Sequence, residues 1–130
     1  MNILVVDDEP DIKPMFLRRF RKQIKSKKIN FLFAFSGEEA IGILEKQKEN
    51  LDCNIVLILS DINMPGMSGL ELLKHVKMEY PEKQVIMISA YGDEKNIKDA
   101  MKNGADGFIS KPIDFPNLLE KILDKKLKNE

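Results

Sequence analysis

The stretch IVLILSDINMPGMSGLE, residues 55–71, carries the pattern that decides the fold. It opens with a continuous apolar run from Ile55 to Leu59, which is typical of a strand buried on both faces of a parallel sheet. Asp61 follows this run, and turn-forming residues separate it from Ser68, which forms a capping-box pair with Glu71 at a helix start. The stretch therefore predicts a strand, an acidic residue at its carboxyl end, and a helix.

The same alternation extends along the chain in both directions. Further short apolar runs, each interpreted as a buried strand, are Ile3 to Val6, Val85 to Ile88, and Phe108 with Ile109. The segment from Ile29 to Phe35 places apolar residues at every second position, which favours an edge strand. Five strands are predicted in all.

Amphipathic helices are predicted between the strands. Ser36 with Glu39 suggests another capping box, Asp93 and Asp114 suggest N-caps, and Gly104 suggests a helix end. Apolar residues recur at helical spacing in five segments: Ile12, Phe16, Phe20 and Ile24; Ala40, Ile41 and Leu44; Leu72, Leu73 and Val76; Ile97, Ala100 and Met101; Leu118, Leu119, Ile122 and Leu123. Alternating strands and helices predict an α/β fold with a doubly wound parallel sheet.

Length and composition narrow the class of protein. The 130 residues fit one domain, and 21 basic residues against 21 acidic ones leave no net charge that would indicate nucleic acid. Cys53 is the only cysteine, which excludes an internal disulfide and suits a reducing compartment. No apolar stretch approaches the roughly 20 residues needed to span a bilayer. We expect a cytoplasmic protein that contacts neither membrane nor nucleic acid directly.

Basic residues cluster around the end of the first predicted helix: Arg18, Arg19, Arg21, Lys22, Lys25, Lys27 and Lys28. A solvated helix end, favoured by the helix dipole, explains such a cluster more simply than a nucleic-acid site does. No DNA-binding motif accompanies the cluster.

Polar side chains follow the predicted strands at their carboxyl ends. Asp7 and Asp8 follow the first strand, Asp61 the third, Ser89 the fourth and Lys111 the fifth. Each alone could be a helix cap, a turn residue or a solvated charge. Together they would meet at one sheet edge, where three acids repel one another unless a cation lies among them. Mg²⁺ prefers such oxygen ligands, so the set predicts phosphoryl transfer to Asp61, with Lys111 and Ser89 holding phosphoryl oxygens.

Four motifs, ILVVDDEP, SDINMPGMSG, MISAYG and FISKP, resemble in this order the receiver domains of two-component response regulators, including chemotaxis regulators. The resemblance spans essentially the whole chain, so residues 1–130 are expected to form a single receiver domain. It implies a flavodoxin-like fold with strand order 2-1-3-4-5. It also implies a regulatory phosphoacceptor and not an enzyme, since such a domain catalyses only its own phosphorylation and dephosphorylation.

The resemblance assigns the acidic site residue by residue. It implies that Asp7, Asp8, Asp61 and the backbone carbonyl of Asn63 hold Mg²⁺, and that Asp61 is phosphorylated. Lys111 would pair with the phosphoryl group.

The resemblance also assigns a switch. Ser89 would move toward the phosphoryl group, Ala90 would leave it room, and Tyr91 would tune dephosphorylation through water access. Phe108 would turn inward on activation; the alternative interpretation is a core strand residue.

Other positions carry structural expectations. The Lys111-Pro112 bond is expected to be cis, and Pro14 is tolerable within the first turn of its helix. Gly107 replaces one acid of a pair found in many DNA-binding members of the family, which weakens the case for their type of dimer. The stretch from Asp8 to Asp61 is longer than is usual in the family. Its surplus residues, near Gln23 to Lys28 and near Lys48 to Cys53, are expected in loops or helix ends.

The implied partners are a sensor histidine kinase or phosphotransfer protein as donor, and an output domain or target protein. The latter would contact the face made by the fourth predicted helix, the fifth strand and the fifth helix.

Three rival functions are less well supported. An aspartate-nucleophile phosphatase carries a second acid two residues after its nucleophile, where this sequence has Asn63. A receiver that has lost phosphorylation usually lacks members of the site, all of which are present. Neither common glycine-rich nucleotide-binding motif occurs.

Overall fold

The computed structural model describes residues 1–49, 54–90 and 94–128, with side chains through Asp124. Five parallel strands form one sheet in the order β2-β1-β3-β4-β5, which confirms the predicted fold class and strand order. Their bounds are β1 Asn2–Val6, β2 Asn30–Ala34, β3 Ile55–Asp61, β4 Gln84–Ser89 and β5 Gly107–Ser110.

The described residues contain six helical segments, whereas five helices were predicted. They are α1 Ile12–Arg19, α2 Arg21–Lys25, α3 Gly37–Gln47, α4 Gly69–Glu79, α5 Glu94–Lys102 and α6 Phe115–Lys128. The first predicted helix is divided at Phe20, whose φ of −106° and ψ of 22° depart from helical values. Pro14 lies in the first turn of α1, as expected.

Helices cover both faces of the sheet. One hydrophobic core contains buried side chains of α3, α4 and α5, and the other contains those of α1 and α6. Along β1, Leu4 faces the first core and Val5 faces the second. The continuous apolar runs of the sequence therefore correspond to strands buried on both sides.

The two edge strands differ from the central ones. Phe31 and Phe33 of β2, and Ile29 and Phe35 beside its ends, pack in the α1/α6 core, and β2 lies at one edge of the sheet, which confirms the predicted edge strand. In β5, Ile109 is buried but the Phe108 side chain is 42% exposed, so the interpretation of Phe108 as a buried strand residue is wrong. Phe108 is exposed because β5 is the other edge strand of the sheet and α5 packs mainly on β4 and α4.

The helix starts largely follow their sequence signals. Ser68 and Glu71 form a complete capping box, and Asp114 accepts a hydrogen bond from the Asn117 N–H. At α3, Ser36 accepts from the Glu39 N–H, but the Glu39 carboxylate accepts from the Phe35 N–H, so this box is incomplete.

Gly104 ends α5 with a φ of 95°, a left-handed conformation that glycine adopts without strain. The expectations for Cys53, Tyr91 and Asp93 lie outside the described residues. Within the described chain, no helix has the length and apolar character needed to cross a membrane.

Gly69, in the first turn of α4, lets this helix approach the end of β3. A Cβ atom placed on Gly69 would lie 2.1 Å from the backbone oxygen of Asp61, a distance that only backbone movement could relieve. The Gly69 N–H also donates to the Ile62 carbonyl at 2.8 Å. The start of α4 is therefore packed directly against the backbone of Asp61.

We predict that Gly69→Ala lowers the free energy of unfolding by at least about 2 kcal/mol, because backbone must shift to relieve the overlap. Gly42→Ala in α3 is the matched control, since a Cβ there meets no atom within 4 Å. The control should gain up to about 1 kcal/mol from better helix propensity. Urea unfolding measures both, and equal stabilities of Gly69→Ala and the parent would contradict the prediction.

Candidate functional site

Three carboxylates meet at the carboxyl edge of the sheet. Asp7 directly follows β1, Asp61 ends the neighbouring strand β3, and Asp8 lies beside Asp7. One oxygen from each carboxylate lies within 4.8 Å of the others. Asp7 is 1% exposed and Asp61 is 6% exposed, whereas Asp8 is open to solvent. The structure thus brings together the acids that the sequence placed at strand ends.

Lys111 supplies positive charge to this cluster. Its Nζ lies 3.3 Å from Asp7 Oδ2 and 3.3 Å from Asp61 Oδ2. The backbone N–H of Lys111 donates to the Ser89 carbonyl at 2.8 Å, and the following bond to Pro112 is cis, as predicted. Lys111 is therefore held by the end of β4 while its side chain reaches across to β1 and β3.

The pKa shifts of Asp61 and Lys111 indicate that the single positive charge of Lys111 does not balance the negative charge of the three carboxylates. Burial raises the pKa of Asp61, and the charges of Asp7 and Asp8 raise it further, while Lys111 opposes both effects. Burial by itself would lower the pKa of Lys111, but Asp61 and Asp7 outweigh burial and raise this pKa. A site that destabilises its own carboxylate anion is suited to a further cation, and its hard oxygen donors match Mg²⁺.

Ser89 is near the cluster in the fold but its hydroxyl has another partner. The side chain is fully buried, and its Oγ donates to the backbone oxygen of Ile109 in β5 at 3.4 Å. Ala90, which follows it, is exposed. The hydroxyl and the backbone carbonyl of Ser89 thus both connect β4 to β5 and the segment that carries Lys111.

Asn63 lies in the turn between Asp61 and α4, and its side chain is exposed. Phe108 lies on a different surface, a groove of about 470 Å³ between β5 and α6 whose lining also includes Pro112. This groove is lined by Phe108, Ile109, Ser110, Pro112, Asp114, Asn117 and Lys121. The predicted site residues are therefore divided between an acidic cluster and a groove beside it.

Sequence reasoning missed three contributors to the cluster. The Glu9 N–H donates to Asp7 Oδ1 at 3.0 Å, and the buried Ser60 hydroxyl donates to the Asp61 carbonyl at 3.0 Å. Gly69 permits the close approach of α4. Only Gly69 had a signal in the sequence, since it is a glycine inside the first turn of a predicted helix. The contacts of Glu9 and Ser60 each involve a backbone group, so no residue type indicates them.

A second groove opens beside the cluster. It has a volume of about 290 Å³ and is lined by Asp7, Glu9, Asp11, Ile12, Met15, Arg19, Lys111, Pro112 and Ile113. The groove joins α1 to the segment after β5, so a molecule lying in it would contact three of the predicted site residues, Asp7, Lys111 and Pro112.

Comparisons with known proteins all indicate the same family. Residues 3–123 match the response regulator receiver domain family. The chain is 35% identical to the chemotaxis protein CheY of Listeria monocytogenes, covering 94% of this chain and 95% of that protein. It is also 32% identical to a cyclic di-GMP phosphodiesterase of Thermotoga maritima, covering 94% of this chain but only 30% of that protein.

Solved structures extend the similarity to the fold. A response regulator receiver protein from Pseudomonas putida is 30% identical with a TM-score of 0.80, covering 95% of each chain. A receiver domain of an HD domain-containing protein from Pseudomonas fluorescens has a TM-score of 0.83 at 25% identity, over 98% of this chain and 94% of that one.

In longer relatives the matching part is a fraction of the protein, since the chain spans 30% of the phosphodiesterase and 23% of an Arabidopsis thaliana two-component response regulator. Nearly complete coverage by the family, together with the acidic cluster, identifies the chain as a member of the response regulator receiver domain family.

Proposed function

We propose that this receiver domain, residues 1–130, accepts a phosphoryl group onto Asp61 in a Mg²⁺-dependent reaction and thereby changes its contacts with partners. A histidine kinase or a phosphotransfer protein would be the donor. The observation that carries the proposal is the cluster of Asp7, Asp8 and Asp61, with Lys111 bonded to two of its members.

Asp61 is suited to be the nucleophile because it ends a central strand and is held by neighbours. A carboxylate oxygen of Asp61 would bond to phosphorus while the bond from phosphorus to the donor's leaving atom breaks, with its electron pair remaining on that atom. Lys111 would then turn from the carboxylates toward the phosphoryl oxygens. Positioning and charge neutralisation are the main requirements of phosphoryl transfer.

Asp7, Asp8, Asp61 and the backbone carbonyl of Asn63 would hold Mg²⁺. When bound, the ion supplies positive charge that offsets the negative charges of the carboxylates and of the incoming phosphoryl group. Asp7 is already oriented by the Glu9 N–H and by Lys111. Asp8 is exposed, so its carboxylate could bind the ion in place of water without a large rearrangement.

The conformational change caused by phosphorylation would be transmitted to the partner surface through Ser89. If its hydroxyl turns toward the phosphoryl group, the Ile109 carbonyl loses a hydrogen bond and β5 can shift relative to β4. Phe108, next to Ile109, is exposed and could then turn inward. Such a change is a shift between two packings of the same chain.

The surface that would respond consists of α5, β5 and α6, which correspond to the fourth helix, fifth strand and fifth helix of the sequence prediction. It carries exposed apolar side chains, Met101 on α5 and Phe108 on β5, and Phe108 lines the groove between β5 and α6. We propose that an output domain or a target protein contacts this surface. Turnover of external substrates is not expected, because Asn63 occupies the position of the second acid in aspartate-nucleophile phosphatases.

The first test is phosphorylation by acetyl phosphate with Mg²⁺, followed by intact-mass measurement. The parent should gain one phosphoryl group, and Asp61→Asn should gain none because it lacks the nucleophilic carboxylate. Asp99→Asn, on α5 and outside the cluster, is the control and should be labelled like the parent. Labelling of Asp61→Asn, or labelling that a chelator leaves unchanged, would contradict the proposal.

The second test is Mg²⁺ binding without phosphorylation. Millimolar MgCl₂ should raise the melting temperature of the parent, because a ligand of the folded state stabilises it by mass action. Asp8→Asn should lose most of this rise. Glu9→Gln, an exposed neighbour that keeps its backbone N–H, should retain it. Equal rises in the parent and Asp8→Asn would show that the ion does not bind at the cluster.

The third test is the switch, observed by amide NMR with a beryllofluoride phosphoryl mimic and Mg²⁺. We expect chemical-shift changes for Ser89, Phe108 and Ile109, since the Ser89 hydroxyl must leave the Ile109 carbonyl. The Gly42 amide in α3 serves as a reference that should move little. An unchanged spectrum for residues 89–110 would exclude the proposed switch.

A further inference from the structure

The segment that carries Asn63 is anchored at both of its ends. The Ile62 N–H donates to the Ile88 carbonyl in β4 at 3.1 Å, and the Ile62 carbonyl accepts from the Gly69 N–H at 2.8 Å. Residues 63–68 connect these anchors and are called the β3–α4 loop here. Asn63, whose backbone carbonyl is a proposed Mg²⁺ ligand, is the first residue of this loop.

The far side of the β3–α4 loop lies on the first turn of α3. Met67 is partly buried and packs against the core that α3 shares with α4. A Cβ atom placed on Gly37, the first residue of α3, would lie 2.9 Å from each of Met67 Cβ, Cγ and Sδ. Gly66 has a φ of 73°, and a Cβ placed there would lie 3.0 Å from Glu38 Oε2. The Met67 side chain therefore occupies the space that a side chain at position 37 would take.

The start of α3 is itself fixed relative to Asp7. The carbonyl of Ala34, which ends β2, accepts a hydrogen bond from the Asp7 N–H at 3.1 Å. Ser36 follows two residues later and caps α3 by accepting from the Glu39 N–H at 3.0 Å. The contact between Gly37 and Met67 thus relates the loop of Asn63 to the strand end that carries Asp7.

A magnesium site depends closely on where its ligands lie. Mg²⁺ requires near-ideal octahedral geometry, with ligand distances of about 2.0–2.1 Å. A carboxylate such as that of Asp8 can adjust by rotating its side chain, but a backbone carbonyl moves only with its loop. The surface on which the β3–α4 loop lies therefore decides whether the Asn63 carbonyl reaches the ion.

We propose that Gly37 and Met67 are positioning residues for Mg²⁺, and that the contact between them places the Asn63 carbonyl beside the carboxylates. The inference rests on the proposed function and adds two residues that do not themselves touch the ion. The overlap expected at position 37 includes Met67 Cβ, which is attached to the backbone. Rotation of the Met67 side chain cannot relieve it, so the loop or the start of α3 must shift.

The test compares four single variants. Gly37→Ala should displace the β3–α4 loop, and Met67→Ala should leave the loop without its support. Gly42→Ala is the matched control in α3, because a Cβ there meets no atom within 4 Å. Ile43→Ala is a second control, since Ile43 is a partly buried residue of α3 that packs against the same core.

The measurement is the Kd of Mg²⁺, obtained by titration of the amide NMR signals of Asp7 and Asp8 at a temperature where every variant is folded. Gly37→Ala should raise the Kd about tenfold, because groups that orient metal ligands typically change affinity by about 10 to 100-fold. Met67→Ala should raise it in the same direction. It also carries the test if Gly37→Ala does not fold.

Both control variants should keep the Kd of the parent. Ile43→Ala should melt at a lower temperature because it loses core packing, but binding to the folded state does not depend on how stable that state is. The Kd therefore separates positioning of the ligand from a general loss of packing.

A double variant tests whether the two residues act through one contact. Gly37→Ala combined with Met67→Ala should bind Mg²⁺ no more weakly than Gly37→Ala alone, since the second substitution removes part of the overlap caused by the first. Losses of affinity that multiply would show independent effects and would overturn the proposal.

A Kd for Gly37→Ala and Met67→Ala equal to that of the parent would also overturn the proposal, as would an equal loss of affinity in Ile43→Ala. Failure of Mg²⁺ to bind the parent, or equal binding by the parent and Asp8→Asn, would instead overturn the proposed Mg²⁺ site and remove the basis of this inference.

Discussion

Repulsion among three carboxylates is the constraint on which the rest of this structure depends. The parallel sheet places Asp7 and Asp61 side by side at the ends of β1 and β3, and both are almost fully buried. Burial raises the pKa of Asp61, so the site opposes the charged state that the proposed phosphoryl transfer needs. Lys111 offsets part of this cost, and the contacts of Asp7 and Lys111 with backbone groups hold the cluster in place.

The same segment that offsets part of the charge of the cluster also connects the cluster to the proposed partner surface. Lys111 is bonded through its backbone to Ser89, and the Ser89 hydroxyl is bonded to Ile109. Phe108 is adjacent and exposed at the edge of the groove between β5 and α6. A change of charge at Asp61 therefore needs to move only a few bonded groups to alter a surface on the outside of the sheet.

Much of this arrangement could be predicted from local sequence. Strand positions follow from apolar runs, and Ser68 with Glu71 marks the start of α4 as predicted. Other features depend on neighbours distant in sequence. Lys83 is 3% exposed, and its amine donates to the Asn54 side chain and the Ile55 carbonyl. Burial lowers the pKa of Lys83, and no local pattern indicates that a lysine at this position is buried.

The sequence by itself determined the alternation of strands and helices and the residues that end each strand, because hydrophobic periodicity and capping are local properties of the chain. The order of the strands came from family motifs and not from periodicity. Only the tertiary structure decided which oxygen each group contacts, that the Ser89 hydroxyl faces β5, and that Phe108 is exposed while Ile109 is buried. These features depend on strand pairing and helix placement, which bring together residues far apart in the sequence.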